Sequence, residues 1–370
     1  DPTGYRVNEK DWQDLYENRA RDFTTAFALG QPKADAIGWD GTREPRLFSK
    51  AAPEAESNPH LLDDEPAIPP KKSASYPFLT VHAADLNSVS AACENGADAV
   101  IIGGEAWRPR RPWTLDDIRR ALRLTREYGV RTIMDTPRST HRRECGELVH
   151  LFLTLEEMRP DALLVGNPGT LKLAAEYTTL PLHTDFSFNL FNHRAAAFLK
   201  AQRVSLGTVS LELAFPQLRE LAKRSPLPLE IILHGVTESM ICDHNLPALA
   251  LGHDAPPENP AFDDRRYALR DEAGEIHPLR HDQYGRLHIL FAKDLCLYPY
   301  LKKLNGFSSY RLEGQDYAPH LVGKLTRLYR EALDRRAAGK EALDVDALAA
   351  LQDASPRAFG CGAYRFRLSQ

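Results

Sequence analysis

The stretch that decides the fold is residues 293–334, KDLCLYPYLKKLNGFSSYRLEGQDYAPHLVGKLTRLYREALD. It predicts a short helix over 295–304, a strand that ends in Arg311-Leu312-Glu313-Gly314, and a helix that ends near Ala332. A strand that leads into an amphipathic helix is the unit from which parallel sheets are built.

The same unit recurs upstream. Helices are predicted at 114–128, 169–177, 192–201 and 214–223. Apolar runs that predict seven further strands lie at 78–81, 99–102, 131–134, 162–165, 182–185, 204–207 and 230–233. Strands that are buried on both faces and alternate with helices indicate a parallel sheet with right-handed crossovers. Eight units over about 260 residues predict an α/β fold of the (β/α)8 TIM type, and a doubly wound sheet is the alternative.

Three segments are expected along the chain. Residues 1–75 carry a helical pattern at 8–29 and then a stretch rich in Pro, Gly, Ser and charge. Such a stretch has too few apolar residues to close a core, so an N-terminal arm or linker is expected that packs on the barrel or on a partner. The barrel is expected over 76–335, and a C-terminal tail over 336–370.

The seventh unit is interrupted by an insertion at about 243–292. Within it, residues 267–276 have a Gly-containing turn between two β-prone runs and predict a β-hairpin. Residues 286–290 predict a further strand.

Composition places the chain among globular proteins. It has 370 residues, of which 43% are hydrophobic and 26% charged, and a net charge of −4. This balance gives no general attraction to nucleic acid or anionic membranes. No apolar run is as long as a membrane span. The chain opens with Asp1-Pro2 and no Met, so a processed product or a piece of a longer parent chain is expected.

Five cysteines are widely spaced and form no Cys-x-x-Cys pair: Cys93, Cys145, Cys242, Cys296 and Cys361. The pattern is typical of a reduced, cytoplasmic protein and offers no structural zinc spacing.

Polar residues follow the predicted strands, where a (β/α)8 barrel places its working groups. Any one of them could be an ordinary exposed side chain, but together they predict a polar mouth. The catalytic candidates are Glu105, Asp135, His183, Asp185, His234 and Glu313. The candidates for substrate binding are His82, Arg108, Arg110, Arg138, Asn167 and Lys293.

Two basic loops follow the second and third strands, at 108–113 and 138–143. Arginines beside Trp107 and Trp113 could hold phosphates and stack a base, which would suit an RNA substrate. A solvated basic surface is the alternative.

Several phrases together resemble one known family. They are AACENGADAVIIGG at 91–104, LEIILHG at 229–235 and KDLC at 293–296, in that order. The resemblance is to the U32 family, whose bacterial and archaeal members are known as collagenase-like peptidases. It implies a (β/α)8 barrel and, for several members, oxygen-independent hydroxylation of RNA or quinone with an iron–sulfur cluster.

The chain departs from the cluster pattern that the resemblance implies. Relatives with a cluster follow His-Gly with Cys-x6-Cys, whereas Glu238 and Asn245 stand at those two positions here. Only Cys296 matches a ligand position. Because a cluster normally needs about four thiolates, or two with two imidazoles, we expect no four-iron cluster on this chain alone.

Two other metal sites stay open, and the cofactor is not identified by the sequence. Cys242 and Cys296 with His244 and His253 could form a mixed site. A mononuclear metal could bind two imidazoles and a carboxylate, and His183, Asp185 and His234 supply those residue types.

Two functions are therefore expected. The first is an enzyme that modifies RNA or a small aromatic acceptor at the mouth. The second is a non-catalytic barrel that binds substrate for a cluster-bearing second U32 barrel. Proteolysis has no support, because the sequence contains neither a Gly-x-Ser-x-Gly elbow nor a His-Glu-x-x-His helix.

Overall fold

The computed structural model describes residues 61–70, 78–247 and 267–365, together with Lys10. The helix predicted at 8–29 and the potential ligand His253 lie outside the described residues. No helix within the described ranges is long and apolar enough to cross a membrane.

Fourteen strands are found among the described residues. They are β1 (Phe78–His82), β2 (Ala99–Gly103), β3 (Arg131–Asp135), β4 (Ala162–Val165), β5 (Leu182–Thr184), β6 (Val204–Thr208), β7 (Leu229–Gly235), β8 (Glu238–Cys242), β9 (Tyr267–Arg270), β10 (Ile276–His281), β11 (Leu287–Leu290), β12 (Asp294–Cys296), β13 (Ser309–Glu313) and β14 (Phe359–Gly360).

The α-helices of the same ranges are α1 (Leu61–Asp64), α2 (Leu86–Glu94), α3 (Leu115–Tyr128), α4 (Cys145–Met158), α5 (Pro168–Tyr177), α6 (His193–Ala201), α7 (Phe215–Arg224), α8 (Pro319–Ala337) and α9 (Val345–Ala354). Short 3-10 helices lie at Arg142–Glu144, Phe186–Phe188, Tyr298–Lys303 and Gly362–Arg365.

Eight parallel strands close into a barrel. Strands β1 to β7 pair in sequence order, and β13 pairs in parallel with both β1 and β7. A helix follows each of β1 to β6 and also β13. The predicted (β/α)8 fold is therefore confirmed, and the doubly wound alternative is wrong because such a sheet would stay open.

Local signals in the sequence explain where the helices begin and end. Helix α3 starts with a capping box between Thr114 and Asp117 and stops at Gly129, which adopts the left-handed conformation. These groups satisfy backbone donors and acceptors that a helix end leaves without partners.

The barrel interior changes character along its axis. Its lower layer is apolar and contains Ala99, Ile101, Ile133, Ala162 and Leu164, against which Phe78 packs. Above it, charged side chains of β5, β7 and β13 meet inside the barrel. The polar layer faces the carboxyl ends of the strands, where the site is built.

The insertion is larger than the predicted hairpin. The hairpin of β9 and β10 exists, but it belongs to a four-stranded antiparallel sheet in the order β8-β11-β10-β9. We call β8 to β11 the inserted sheet. Its first strand begins at Glu238, before the predicted boundary. The helix predicted at 295–304 is also wrong in its first residues, because Asp294–Cys296 forms β12, which pairs with β7.

The two ends of the described chain contact the barrel. Ile68 donates its backbone N–H to Lys303 at 2.9 Å, and Leu62 and Ile68 are buried. In the tail, β14 pairs in parallel with β12. The segment boundaries given above stay predictions.

Candidate functional site at the barrel mouth

A small cavity lies at the mouth, between the barrel and the inserted sheet, with about 10 Å³ open to a water-sized molecule. We call it the mouth cavity. Its walls combine carboxylates, imidazole, guanidinium and aromatic rings. The lining residues are His82, Trp107, Asp135, Arg138, Asp185, Phe186, Ile232, Val236, Thr237, Glu238, Glu313 and Gln315.

Arg311 organises the floor of the cavity. Its guanidinium lies 2.6 Å from Asp185, 3.2 Å from Glu230 and 2.7 Å from Glu313, and its side chain is almost fully buried. The three carboxylates raise the pKa of Arg311 against the effect of burial, so it stays charged. Burial raises the pKa of Glu313, but Arg311 and His82 more than offset it and the pKa falls to about 2.

His82 connects two carboxylates above this floor. Its Nδ1 lies 2.9 Å from Glu313 Oε2, and its Nε2 lies 3.7 Å from Asp135 Oδ2. The amide of Gln315 also approaches Nδ1, at 2.6 Å. A His between two acids can pass a proton from one side to the other, which is the arrangement that general acid–base chemistry needs.

Asp135 is the carboxyl group whose protonation the site favours most. Burial and the charges of Asp185 and Glu105 raise its pKa well above the usual value, although Arg138 and Arg311 act in the opposite direction. Gly104 has a positive φ of 68°, and a side chain there would collide with the Asp135 carboxylate. The chain therefore approaches Asp135 closely at a position that only glycine tolerates well.

Arg138 joins the barrel to the inserted sheet. Its backbone N–H donates to Glu105 Oε1 at 2.6 Å, and its guanidinium lies 3.4 Å from Glu105 and 3.3 Å from Glu238. The guanidinium also lies over the ring of Phe186, 5.2 Å from its centroid. This contact places a cation and an aromatic face together on one wall of the cavity.

Glu238 continues into a second buried chain of charges. It forms a very short contact with Nδ1 of His288, whose Nε2 lies 3.2 Å from Asp282 Oδ2. Burial lowers the pKa of His288, but hydrogen bonds and charges from Asp282 and Glu238 raise it to about 9. His288 is thus an imidazolium at neutral pH and joins Glu238 to Asp282 within the inserted sheet.

One donor in the cavity wall is left for a ligand. Trp107 is buried and its indole Nε1 has no hydrogen-bond partner within the described part of the chain. Buried donors normally find a partner, so this N–H is available to an acceptor on a bound molecule.

The structure brings four catalytic candidates together and leaves two elsewhere. Glu105, Asp135, Asp185 and Glu313 meet at the mouth. His183 lies two residues before Asp185, lower in the barrel, where burial and the charges of Arg131 and Arg311 lower its pKa to about 4.

The expected position of His234 is wrong. It is fully buried outside the cavity, with Tyr329 Oη 3.2 Å from Nδ1 and Tyr317 Oη 3.4 Å from Nε2. The ring of Phe359 packs edge-on at 4.7 Å between centroids. Regular alternation would place Ile232 and His234 on the same face of β7, but the register with β13 shifts between them, as in a β-bulge, and His234 is turned away from the mouth.

The substrate-binding candidates have mixed locations. His82 and Arg138 line the mouth cavity. Arg110 pairs with Asp85 and with the carbonyl of Tyr317 near the rim.

The remaining three candidates serve other contacts in the structure. Asn167 caps α5 by accepting from Thr170 N at 2.9 Å. Lys293 pairs with Glu275 at the surface, so its expected place at the mouth is wrong. The backbone N–H of Arg108 donates to His281 O at 3.0 Å, which ties its loop to the inserted sheet.

The potential metal ligands do not assemble. Among the described residues, no group of three His, Cys, Asp or Glu side chains could hold a metal ion. Cys296 is buried with its sulfur 4.0 Å from Tyr329 Oη, and burial raises its thiol pKa to about 11. Cys242 lies on β8 and accepts from the backbone N–H of His244 at 3.4 Å. The expected site of Cys242, Cys296 and His244, and the alternative of His183, Asp185 and His234, are therefore not formed.

The two residues that stand where cluster-bearing relatives carry cysteine, Glu238 and Asn245, do not fit an iron–sulfur cluster. Glu238 is engaged by Arg138 and His288. Asn245 Oδ1 lies 3.2 Å from His281 Nε2. Both side chains offer oxygen, where a cluster takes thiolate or imidazole.

Sequence reasoning missed the central groups of the site. Arg311 was read only as part of a strand, and Glu230 as the start of one. A strand with charged residues at alternating positions, such as Arg311 and Glu313, was the available signal, because alternation places both inside the barrel. His288 and Asp282 gave no such signal, since their contact depends on the fold of the inserted sheet.

Comparisons with known proteins agree with this fold. tRNA hydroxylation protein P2 of Bacillus subtilis is 24% identical over 251 residues, covering 65% of this chain and 80% of that protein. tRNA hydroxylation protein P of Helicobacter pylori J99 is 25% identical, covering 68% of this chain and 63% of that protein. The 23S rRNA 5-hydroxycytidine synthase of Escherichia coli is 24% identical, covering 65% of this chain and 36% of that protein.

The chain thus spans less than two thirds of the length of the second and third of these relatives. A family model described as peptidase family U32 matches residues 84–366, which is more than half of the sequence. The chain belongs to peptidase family U32.

Proposed function

We propose that this chain acts in RNA modification and that a nucleobase binds at the polar mouth of its barrel. The observation that carries the proposal is the pairing of His82 with Asp135 beside the aromatic walls formed by Trp107 and Phe186. Proteins that read unstacked bases place them against aromatic or guanidinium planes and bond their edges. The names of the relatives point to the same class of substrate.

The chemistry that these residues supply is binding and proton transfer. Asp135, with its raised pKa, can donate to a ring nitrogen or carbonyl of the base. His82, whose Nε2 lies 3.7 Å from Asp135 Oδ2, can then return a proton to Asp135. The unpartnered N–H of Trp107 can bind an acceptor on the same ring. Hydroxylation also transfers an oxygen atom and two electrons, and these residues account for neither.

An accessory barrel is the second candidate, and one observation favours it. Glu238 and Asn245, at the thiolate positions, are tied into contacts with Arg138, His288 and His281. A barrel of this kind would bind the RNA while a second, cluster-bearing U32 chain carries out the redox step.

The experiment compares nucleosides of tRNA and rRNA, by mass spectrometry, in cells with and without the gene. We expect loss of a nucleoside that carries one extra oxygen atom. Wild-type protein should restore it, whereas Asp135→Asn, which keeps the shape but not the acid, should not. An unchanged nucleoside profile, or full restoration by Asp135→Asn, would contradict the proposal.

Purified protein separates the two candidates. An accessory barrel binds the target RNA in an Asp135-dependent way but leaves it unmodified until a cluster-bearing U32 protein is added. An enzyme modifies the RNA without that partner. Modification of a small aromatic acceptor in place of RNA would assign the same mouth to the other expected substrate class.

A further inference from the structure

We propose that a second groove, beside the mouth cavity, binds the nucleotide that neighbours the one in the mouth. This inference rests on the proposed function. The side groove lies between the loops that follow β2 and β3 and the turn between β10 and β11, and about 240 Å³ of it is open to a water-sized molecule. It is therefore far roomier than the mouth cavity, which has about 10 Å³.

The groove and the mouth cavity share a wall. Asp135 lines both, and Gly103 and Gly104 form part of the side groove directly next to it. A strand of RNA with one base in the mouth would therefore leave its next nucleotide at the entrance of the side groove.

Two aromatic side chains give this groove a stacking surface. Trp113 is half-buried, and Tyr284 is 37% exposed. The guanidinium of Arg286 lies 4.8 Å from the centroid of the Tyr284 ring and supports it. Rings held in this way bind bases of any sequence, because every base has a π-face.

The charges around the groove fit a single strand with phosphates at the rim. Arg111 and Arg142 are exposed and form no ion pair with the other residues that the structure describes. Arg111 precedes the lining residue Pro112, and Arg142 lies between the lining residues Thr140 and Glu144 in the sequence. Inside, Glu144 is neutralised by Arg286 at 2.6 Å, which leaves Glu147 to accept from amino groups of a base. Phosphates of a bound strand would therefore contact the arginines, and its base would contact the aromatic rings and the Glu147 carboxylate.

The test measures binding of a short single-stranded RNA of mixed sequence, by fluorescence anisotropy, as a function of salt. Arg111→Gln/Arg142→Gln should lower the salt slope by about 1.4, since each phosphate contact on a single strand contributes about 0.7. Tyr284→Ala should weaken binding roughly 5- to 100-fold, and Tyr284→Phe should retain most of it, because stacking needs the ring. Arg123→Gln, an exposed charge change in the middle of α3, should behave as wild type.

The outcomes separate this inference from the proposed function. If wild-type protein binds no RNA, both fail. If Asp135→Asn weakens RNA binding while Tyr284→Ala and the double arginine variant bind as tightly as wild type, the side groove assignment alone is overturned. If heparin competes as well as RNA and Tyr284→Ala has no effect, the arginines are a general anionic-binding surface and the inference is again overturned.

Discussion

Two buried histidines lie near the same end of the barrel, and at neutral pH one is charged and the other is neutral. His288, in the inserted sheet, lies between Glu238 and Asp282, and its pKa rises to about 9. His234, at the end of β7, is surrounded by Tyr317, Tyr329 and Phe359, and burial lowers its pKa to about 3.

The difference teaches that partners, and not burial, decide whether an ionisable group at this barrel end stays charged. Both imidazoles are fully inaccessible to solvent. Desolvation drives each toward the neutral form, and only the carboxylates of the inserted sheet reverse it. The mouth is therefore a region whose buried side chains stay ionised. The surroundings of His234 are instead a packed aromatic core.

The largest expected effect comes from removing the cation that holds the mouth together. Arg311→Met leaves Asp185, Glu230 and Glu313 as buried carboxylates without their partner. We expect a loss of about 3–5 kcal/mol in the free energy of unfolding at pH 7, measured by urea denaturation. Arg123→Gln, which removes an exposed cation, should stay within about 0.5 kcal/mol of wild type.

The pH dependence of that loss is a second check on the same variant. Glu313 has a folded pKa of about 2, below its usual 4.5, so its contribution is present above pH 4.5 and is lost as the pH falls through about 2. The difference in the free energy of unfolding between wild type and Arg311→Met should therefore become smaller in acid. A gap of less than about 1 kcal/mol at pH 7 would show that the carboxylates do not depend on Arg311.

His288 should make the protein less stable in alkali. Its folded pKa of about 9 lies above the usual 6.5, so its contribution is complete below pH 6.5 and is lost as the pH rises through about 9. The shift corresponds to roughly 3 kcal/mol at most. Tm measured from pH 6.5 to 9.5 should fall in wild type and stay flatter in His288→Gln. Equal slopes in the two proteins would contradict the charged state of His288.

His234 should make the protein less stable in acid. Its folded pKa of about 3 lies below 6.5, so stability is complete above pH 6.5 and is lost as the pH falls toward 3. Between pH 7 and pH 5 we expect a loss of about 2 kcal/mol. His234→Phe, which keeps a ring among the aromatic neighbours, should remove this acid sensitivity. If it does not, another buried group titrates in that window.

The sequence predicted the barrel because its signals are local. Each predicted apolar run became a strand within a residue or two, and the helix predicted at 114–128 matches α3 at Leu115–Tyr128. Such periodic patterns depend on neighbours along the chain, so one sequence is enough to read them. The inserted sheet was predicted only as a hairpin and one strand, because β8, Glu238–Cys242, is short and shows no alternation of polar and apolar residues.

The site was predicted less well, because its contacts join distant parts of the chain. Asp135, Asp185 and Glu313 were found from their places at strand ends. His234 occupies a similar place in the sequence but lies outside the cavity, against Tyr329. Nothing in the sequence indicates that Glu238 would meet His288, since that contact depends on the pairing of β8 with β11.

The two histidine regions also bear on the family's chemistry. In this chain Glu238 stands at a position where cluster-bearing relatives carry cysteine. It lies in the region around His288 and forms ion pairs with Arg138 and His288. Ion pairs thus take the place where relatives are expected to hold a cluster. Cys296, the one matching cysteine, lies in the other region, beside Tyr329.

The most direct test of the account compares Asp135→Asn with His234→Phe in one measurement of RNA affinity and Tm. We predict that Asp135→Asn weakens binding of a short single-stranded RNA at least about tenfold, the loss of one good polar contact, while its Tm changes little. His234→Phe should bind the RNA as wild type does, whatever its Tm. If His234→Phe loses RNA binding at an unchanged Tm while Asp135→Asn retains it, the functional site is at the aromatic wall and not at the mouth.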